Sequence, residues 1–410
     1  MSDSESLSVP PQAGKWGRLW EVFWVFLRLG VTSFGGPVAH LGYFREEFVT
    51  RRKWLGEREY ADLVALCQFL PGPASSQVGM AVGLRRAGYA GLAAAWFAFT
   101  MPSVVALVAF ALGVGYLGDV EGAGWIVGLK AAAVAVVAHA VFGMAKNLLT
   151  DKWRALIAAA AAAVVLLIAH PAAQVAAIAC GAAAGLALKT KPQAQQEPAA
   201  ASPVPKAVGL ASLVLFGLLL VGLPWLAGAT GGVGAAIMAT FYRSGALVFG
   251  GGHVVLPLLE QATVPTDLVS RDVFLAGYGA AQAVPGPLFT FASYLGASSQ
   301  GISWWWGATL ATVSIFLPAA LLVLGALPYW ERLRHHRAAA GVLAGANAAV
   351  VGLLGAALYS PVFTAGVTGP ATMALAIAAF AALQAFRTPA WAVVVAAAVA
   401  GWAGAGLGMQ

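Results

Sequence analysis

Long runs of apolar residues, broken by short polar or basic turns, set the pattern of this chain. Runs such as Leu210 to Gly228 and Pro389 to Leu407 reach the roughly 20 residues a helix needs to cross a hydrocarbon layer. Further spans are expected near 88–117, 124–146, 152–169, 172–188 and 304–328, with two more before Arg387. The alternating segments of about ten residues that build a membrane β-barrel are absent, so the expected class is all-α, a polytopic helical membrane protein.

Composition agrees. The 410 residues are 60% hydrophobic and only 10% charged, against roughly 25% charged in a soluble domain. The formal net charge of +7 sits in short loops beside apolar runs rather than along one soluble face, which speaks against a nucleic-acid partner. Cys67 and Cys180 are too few for a disulfide framework or a cysteine metal cluster. No HExxH, P-loop, nucleophile-elbow context or Cys/His cluster is present, so neither an embedded hydrolase nor an ATP-driven pump is supported; no metal or cofactor is expected.

The chain divides at 189–206, KTKPQAQQEPAAASPVPK, a Pro/Gln/Ala-rich stretch without apolar period that reads as a cytoplasmic linker. Residues 1–14 read as a disordered tail rather than a signal peptide, 15–188 as a first transporter repeat, and 207–410 as an extra span followed by a second repeat. The repeats align on paired motifs. FLRLGVTSFGGPVAHL (Phe26 to Leu41) matches FYRSGALVFGGGHVVL (Phe241 to Leu256), and QFLPGP (Gln68 to Pro73) matches QAVPGP (Gln282 to Pro287). Met101-Pro102-Ser103 then matches Leu317-Pro318-Ala319, and Gly128 to Ala131 matches Gly345 to Ala348.

Duplicated halves mark secondary transporters that rock about a midplane site. The first repeat carries Arg45, Arg51, Arg52, Lys53, Arg58, Arg85 and Arg86 around its motifs, whereas the matching stretch of the second offers only Arg271. By the positive-inside rule this asymmetry predicts inverted halves and a cytoplasmic N-terminus. Basic residues on both flanks of the GGP and PGP segments of the first half predict re-entrant hairpins; full crossing of all four broken segments is the lesser alternative.

Gly-Gly and Pro-Gly-Pro interrupt helices, and backbone freed inside a membrane must line a cavity or be buried in protein. Half-helix N-termini suit an anion. The candidate site therefore includes Gly35, Gly36, Pro71, Gly72 and Pro73 in one half and Gly250, Gly251, Pro285, Gly286 and Pro287 in the other. Gln68 and Gln282, three residues before each PGP, could donate to a ligand oxygen. Arg28 and Arg243 are equivalent intramembrane cations, with snorkelling as the bland reading; Lys130 is a third cation, whose repeat mate is the neutral Asn347. His40, His139 and His253 could couple protons, although a lone histidine is more often structural.

These motifs together resemble the chromate ion transporter family in its long, two-domain form. The resemblance covers nearly the whole chain outside the tail and the linker: FLRLGVTSFGGPVAHLGYFREEFV, ADLVALCQFLPGPASSQVGMAVGLRRAGYAG and FTMPS in the first half; FYRSGALVFGGGHVVLPLLE, GYGAAQAVPGPLFTFASYLG and FLP in the second. It implies export of chromate across the cytoplasmic membrane by ion-gradient-driven transport, giving resistance, with sulfate as a related anion. A sulfate or other oxyanion carrier and an anion channel are the rival readings. Oligomeric state is left open, a homodimer among the options.

Overall fold

The computed structural model describes residues 14–34, 36–116, 123–168, 171–187, 202–249, 255–330 and 337–405. Gly35, Gly250, Gly251, His253, the tail before Gly14 and linker residues 189–201 therefore lie outside the described residues. The described chain is helical, with no strand, and is a helical membrane protein. Its helices at Ala74–Val114, Gly124–Leu148, Lys206–Thr230, Trp304–Tyr329 and Ala340–Gly366 are long and apolar enough to span a bilayer.

In the first half, α1 (Lys15–Thr32) leads to the Gly-Gly break and α2 (Gly36–Arg45), which runs into a π-helical turn, Glu46–Arg51. Next come α3 (Glu57–Phe69), the PGP break and α4 (Ala74–Tyr116). Helix α4 is two arms, 74–86 and 89–116, because Gly88 takes φ +69 and Ala87 leaves helical geometry.

The 13 residues of α3 rise only about 20 Å, short of the ~30 Å hydrocarbon core. Glu59, at the start of α3, ion-pairs with Arg85, at the end of the first arm of α4. The two short helices are therefore the legs of a hairpin, with PGP at its tip and an ion pair across its base. The α1–α2 segment folds back likewise: Arg52, beyond its far end, reaches Glu21 in α1 at 2.9 Å, and Glu21 also takes Arg86 at 2.7 Å. Both broken segments of the first half thus fold back on themselves.

Helices α5 (Gly124–Leu148), α6 (Lys152–Leu167) and α7 (Pro171–Gly185) complete the half, and α8 (Lys206–Thr230) is the extra span. Helix α8 is mostly unburied, presenting Leu218, Val221 and Trp225 outward. The order then repeats with α9 (Val233–Leu247), α10 (Val255–Thr263), α11 (Arg271–Ala283), the second PGP, α12 (Phe291–Ser298) and α13 (Trp304–Ala326). It ends with α14 (Arg337–Ala357), α15 (Pro370–Gln384) and α16 (Ala390–Ala405). The α11–α12 hairpin is zipped by apolar packing, with Phe274 on Phe291 at 5.1 Å between ring centroids and Tyr294 against Gly277.

The halves interlock rather than stand side by side. Helix α5 packs along α15 and α16 of the second half, and α14 packs along α6 and α7 of the first. Small residues set the distance: a Cβ on Gly128 would overlap the Ala397 carbonyl of α16, and one on its repeat mate Gly345 would overlap the Gly181 carbonyl of α7. At 16 and 15 residues α6 and α7 rise roughly 22–24 Å, as α16 and α15 do.

Candidate oxyanion site

The tips of the hairpins meet across the halves. Gly72, at φ +120, donates its N–H to the carbonyl of Val248 at 2.7 Å, and Gly286, at φ +95, donates to the carbonyl of Ser33 at 2.8 Å. Gly72 pairs with Gly286 in the repeat and Ser33 with Val248, so each PGP is docked on the C-terminal cap of the helix that precedes the Gly-Gly motif of the opposite half. Left-handed φ at both positions requires glycine. The flanking carbonyls are satisfied differently: Gln77 Nε2 donates to Pro71 O at 2.8 Å, while the Ser103 hydroxyl donates to Pro285 O.

A cavity of about 460 Å³ opens where the second PGP meets the first Gly-Gly break. Gly36 and Pro37, the first residues of α2, form one wall, Gln282 and Gly286 another, His139 of α5 the back, and Gln384, Arg387 and Thr388 of the α15–α16 turn the mouth. Nothing lining it is acidic. His139 Nδ1 is buried without a hydrogen-bond partner among the described residues, and Gln282, whose amide lies beside the Tyr278 hydroxyl, keeps its Nε2 unpaired by geometry. An unpaired buried donor is costly, so a site that holds one is set up for an acceptor ligand or water. The positive end of α2, an orphan amide donor and a guanidinium with no described ion pair converge on one space, a donor set matched to an oxyanion.

The counterpart space in the first half differs. It measures about 450 Å³ and is lined by Phe69, Leu70, Pro71, Ile178, Phe249, Ala346 and further apolar side chains. Among the described residues, the lining of one of these pseudo-equivalent spaces is partly polar and that of the other apolar.

Comparison with known sequences decides the lineage. The model of a family described as "Chromate transporter" matches residues 20–186 and 235–402, one match on each half. The chain belongs to the chromate transporter family. A chromate transport protein of Pseudomonas aeruginosa is 28% identical over 436 aligned positions, covering 98% of this chain and 95% of that relative. One from Cupriavidus metallidurans is 27% identical, covering 80% and 79%, and a probable chromate transport protein of Synechococcus elongatus is 27% identical, covering 81% of each. No solved structure matches.

Within this chromate transporter family member, the residues singled out from sequence part company. Gly36, Gln282, Gly286 and His139 share the polar cavity. Pro71, Gly72, Pro73, Pro285 and Pro287 build the docked tips, with Pro71 reaching the apolar space. Gln68 is exposed on α3, and Gln77, which sequence reading passed over, serves that break instead. Asn347 has a buried Oδ1 without a described partner and lines none of these cavities.

The three cations do not converge. Arg28 is held by Glu47 at 2.5 Å in a cluster with Arg51 and Arg52. Lys130, which has no acid near it in sequence, meets Asp272 of α11 at 2.6 Å. Arg243 lines a separate cavity among α7 to α10. A bare cation at depth recruits a counter-charge wherever folding supplies one, and crossed halves supply distant ones.

His40 is fully buried at the tip, its Nε2 3.1 Å from the Ser33 carbonyl and its Nδ1 3.3 Å from Ser75 Oγ. A carbonyl only accepts, so Nε2 carries the proton and Nδ1 accepts from the Ser75 hydroxyl. That arrangement braces the docked tip. Arg387, which in the sequence only bounds two expected spans, is the cation at the mouth; the signal that could have found it is its place in a turn between two short apolar helices.

Proposed function

We propose that the protein is a secondary transporter that exports chromate across the cytoplasmic membrane and so confers chromate resistance. The reading rests on one observation: the polar cavity in which the break of one half meets the break of the other, with Gln282 Nε2 in one wall and His139 Nδ1 at the back unpaired and Arg387 at its mouth. A tetrahedral dianion entering past Arg387 would exchange water for the Gln282 amide, the first N–H groups of α2 and the His139 ring. Family membership and relatives named for chromate transport supply the substrate.

In this reading the halves lie inverted in the bilayer, with the N-terminus cytoplasmic, because basic residues crowd the bases of the first-half hairpins, whereas the matching stretch of the second offers only Arg271. Arg387 then faces the cytoplasm and the cavity is open on the loading side for an exporter. Rocking that separates Gly286 from Ser33 and moves the α15–α16 turn would expose the anion opposite. His139 is the histidine placed to take up a proton as the anion binds.

The test is uptake of labelled chromate into everted vesicles. Accumulation is expected, competed weakly by sulfate and lost in Arg387→Gln and Gln282→Leu. Equal accumulation by wild type and both variants would overturn the assignment of the site. Stronger competition by sulfate than by chromate would make it a sulfate carrier, and flux set only by the anion's own gradient would make it a channel.

A further inference from the structure

Arg28 and Arg243 occupy equivalent repeat positions, yet only one has its carboxylate. Arg28 is neutralised by Glu47 at 2.5 Å. In the register that pairs these two arginines, Glu47 pairs with Ala262, and a one-residue shift would place Gln261 there; neither is charged. Both Gln261 and Ala262 line the cavity into which Arg243 projects, a space of about 310 Å³. Among the described residues no carboxylate lies within ion-pair distance of Arg243. The second half therefore keeps the cation without that carboxylate: Glu260, one residue before Gln261, pairs with Arg271 instead, and a cavity lies at the Glu47 equivalents.

A partly buried guanidinium without a counter-charge is unfavourable in a membrane, and here the missing partner has a measurable volume. The lining is mostly apolar, with a few neutral polar groups among it. Thr240, Ser244 and Thr266 lie in the lining, although their hydroxyls already donate to backbone carbonyls within helical turns, apart from Thr240, for which no such bond is recorded among the described residues. Gln261 has its Oε1 buried and unpartnered, and this amide can turn to offer its NH2 group. Pro224 and Ala227 of the outward-lying α8 form the wall facing lipid.

We propose that this cavity is a second oxyanion site, in which Arg243 takes an exogenous tetrahedral anion in place of the carboxylate that Glu47 supplies in the first half. The ligand chemistry is that of sulfate, chromate or a phospholipid phosphate, with Arg243 as the forked donor. The site is separate from the cavity at Arg387 and does not depend on the transport reading.

The experiment uses the purified full-length protein in detergent, with equilibrium binding of radiolabelled sulfate and, in parallel, native mass spectrometry for retained anionic phospholipid. Ala262→Glu restores the carboxylate beside Arg243, and Ala262→Gln adds the same bulk without charge. Expected is loss of one sulfate, or of the retained lipid, in Ala262→Glu and Arg243→Gln, with affinity falling at least tenfold, while Ala262→Gln and Arg387→Gln keep it. A lost sulfate identifies a free-anion site and a lost lipid a headgroup site. If Ala262→Glu and Ala262→Gln behave alike, both binding or both failing, the proposal is overturned. Failure of the transport reading would show instead in Arg387→Gln, so the two remain distinguishable.

Discussion

Gly286 donates its amide to the carbonyl of Ser33 at 2.8 Å, which joins the Pro-Gly-Pro tip of the second half to the helix cap that precedes the Gly-Gly motif of the first. The reciprocal bond from Gly72 to Val248 makes the joint two-sided. Both halves therefore end their broken helices on each other, and motion of one half must be felt at the tips of both.

The two glycines differ in what surrounds them. A Cβ on Gly286 would overlap the Ser103 hydroxyl that holds Pro285, whereas one on Gly72 would press only on the movable Gln77 amide and the Ala319 methyl. Gly72→Ala should cost about 1–2 kcal/mol for its left-handed φ. Gly286→Ala should cost about 3 kcal/mol or more, because the overlap adds to the φ penalty. Thermal unfolding of the two variants in detergent checks the order; equal shifts would show that the Ser103 contact does not constrain the tip.

Lys130 and Asp272 sit 2.6 Å apart across the halves, the lysine mostly buried and the aspartate about a third exposed. Removing either partner should cost about 1–3 kcal/mol, less than a fully buried pair because Asp272 keeps part of its hydration. If the lysine is structural, the swap Lys130→Asp with Asp272→Lys should regain most of the stability and of the chromate flux. A swap that regains stability but no flux would return Lys130 to the substrate path.

Much of this architecture is legible in the chain. The repeat, the four breaks and the hairpin bases follow from Gly, Pro and Arg placed at matching points in apolar runs, because freed backbone and charge are both expensive in lipid. Partners across the halves are not legible. Lys130 and Asp272 are far apart in sequence, and only the crossed packing of α5 against the second half brings them together. Gln68 stood at the expected offset from PGP, but the helix turns it outward, and Gln77, one turn past the break, faces Pro71 instead. Arg387 escaped notice because a charge after a helix end normally reads as a surface loop; the shortness of α15 and α16 changes its meaning.

Glu47 gives a pH dependence with a definite sign. Burial pushes its carboxyl up, but the Arg52 hydrogen bond at 2.6 Å and the charge of Arg28 outweigh that, so it is held below the usual carboxylate range. A folded-state pKa below the unfolded value of about 4.3 contributes stability above that value and loses it as pH falls through the folded pKa. Glu47→Gln should therefore melt lower than wild type near neutral pH, and the gap should narrow as pH falls below the usual carboxylate range and through the depressed folded-state pKa. Melting curves across that range decide it; a constant gap would mean that the loss is one of packing alone.

Arg387 is exposed at the cavity mouth with φ +53, a left-handed turn that sets its side chain at the opening. A charge-assisted hydrogen bond is worth about 1.5–3 kcal/mol, so Arg387→Gln should raise the chromate KM roughly tenfold or more. Stability should barely change, since no described ion pair is lost. His139→Gln should leave KM closer to wild type and flatten the pH profile of transport. An unchanged profile would remove His139 from proton coupling without touching the anion site.

Inverted halves make a prediction about faces that does not depend on the site. Arg51 lies at the ion-paired base of the first-half hairpins, and Arg271 opens the hairpin of the second half, where its nearest acid is Glu260 at 3.7 Å. If the halves are antiparallel, these bases lie on opposite surfaces, since each hairpin dips toward the middle and returns to its own side. Cys180 is exposed and must first be replaced, while Cys67 is buried. Single cysteines at Arg51 and Arg271 should then be modified by an impermeant thiol reagent from opposite sides of sealed vesicles, Arg51 from the cytoplasmic face. Modification of both from one side would make the repeats parallel, and the crossed contacts of Gly72 and Gly286 would then have to arise from an axis along the membrane normal.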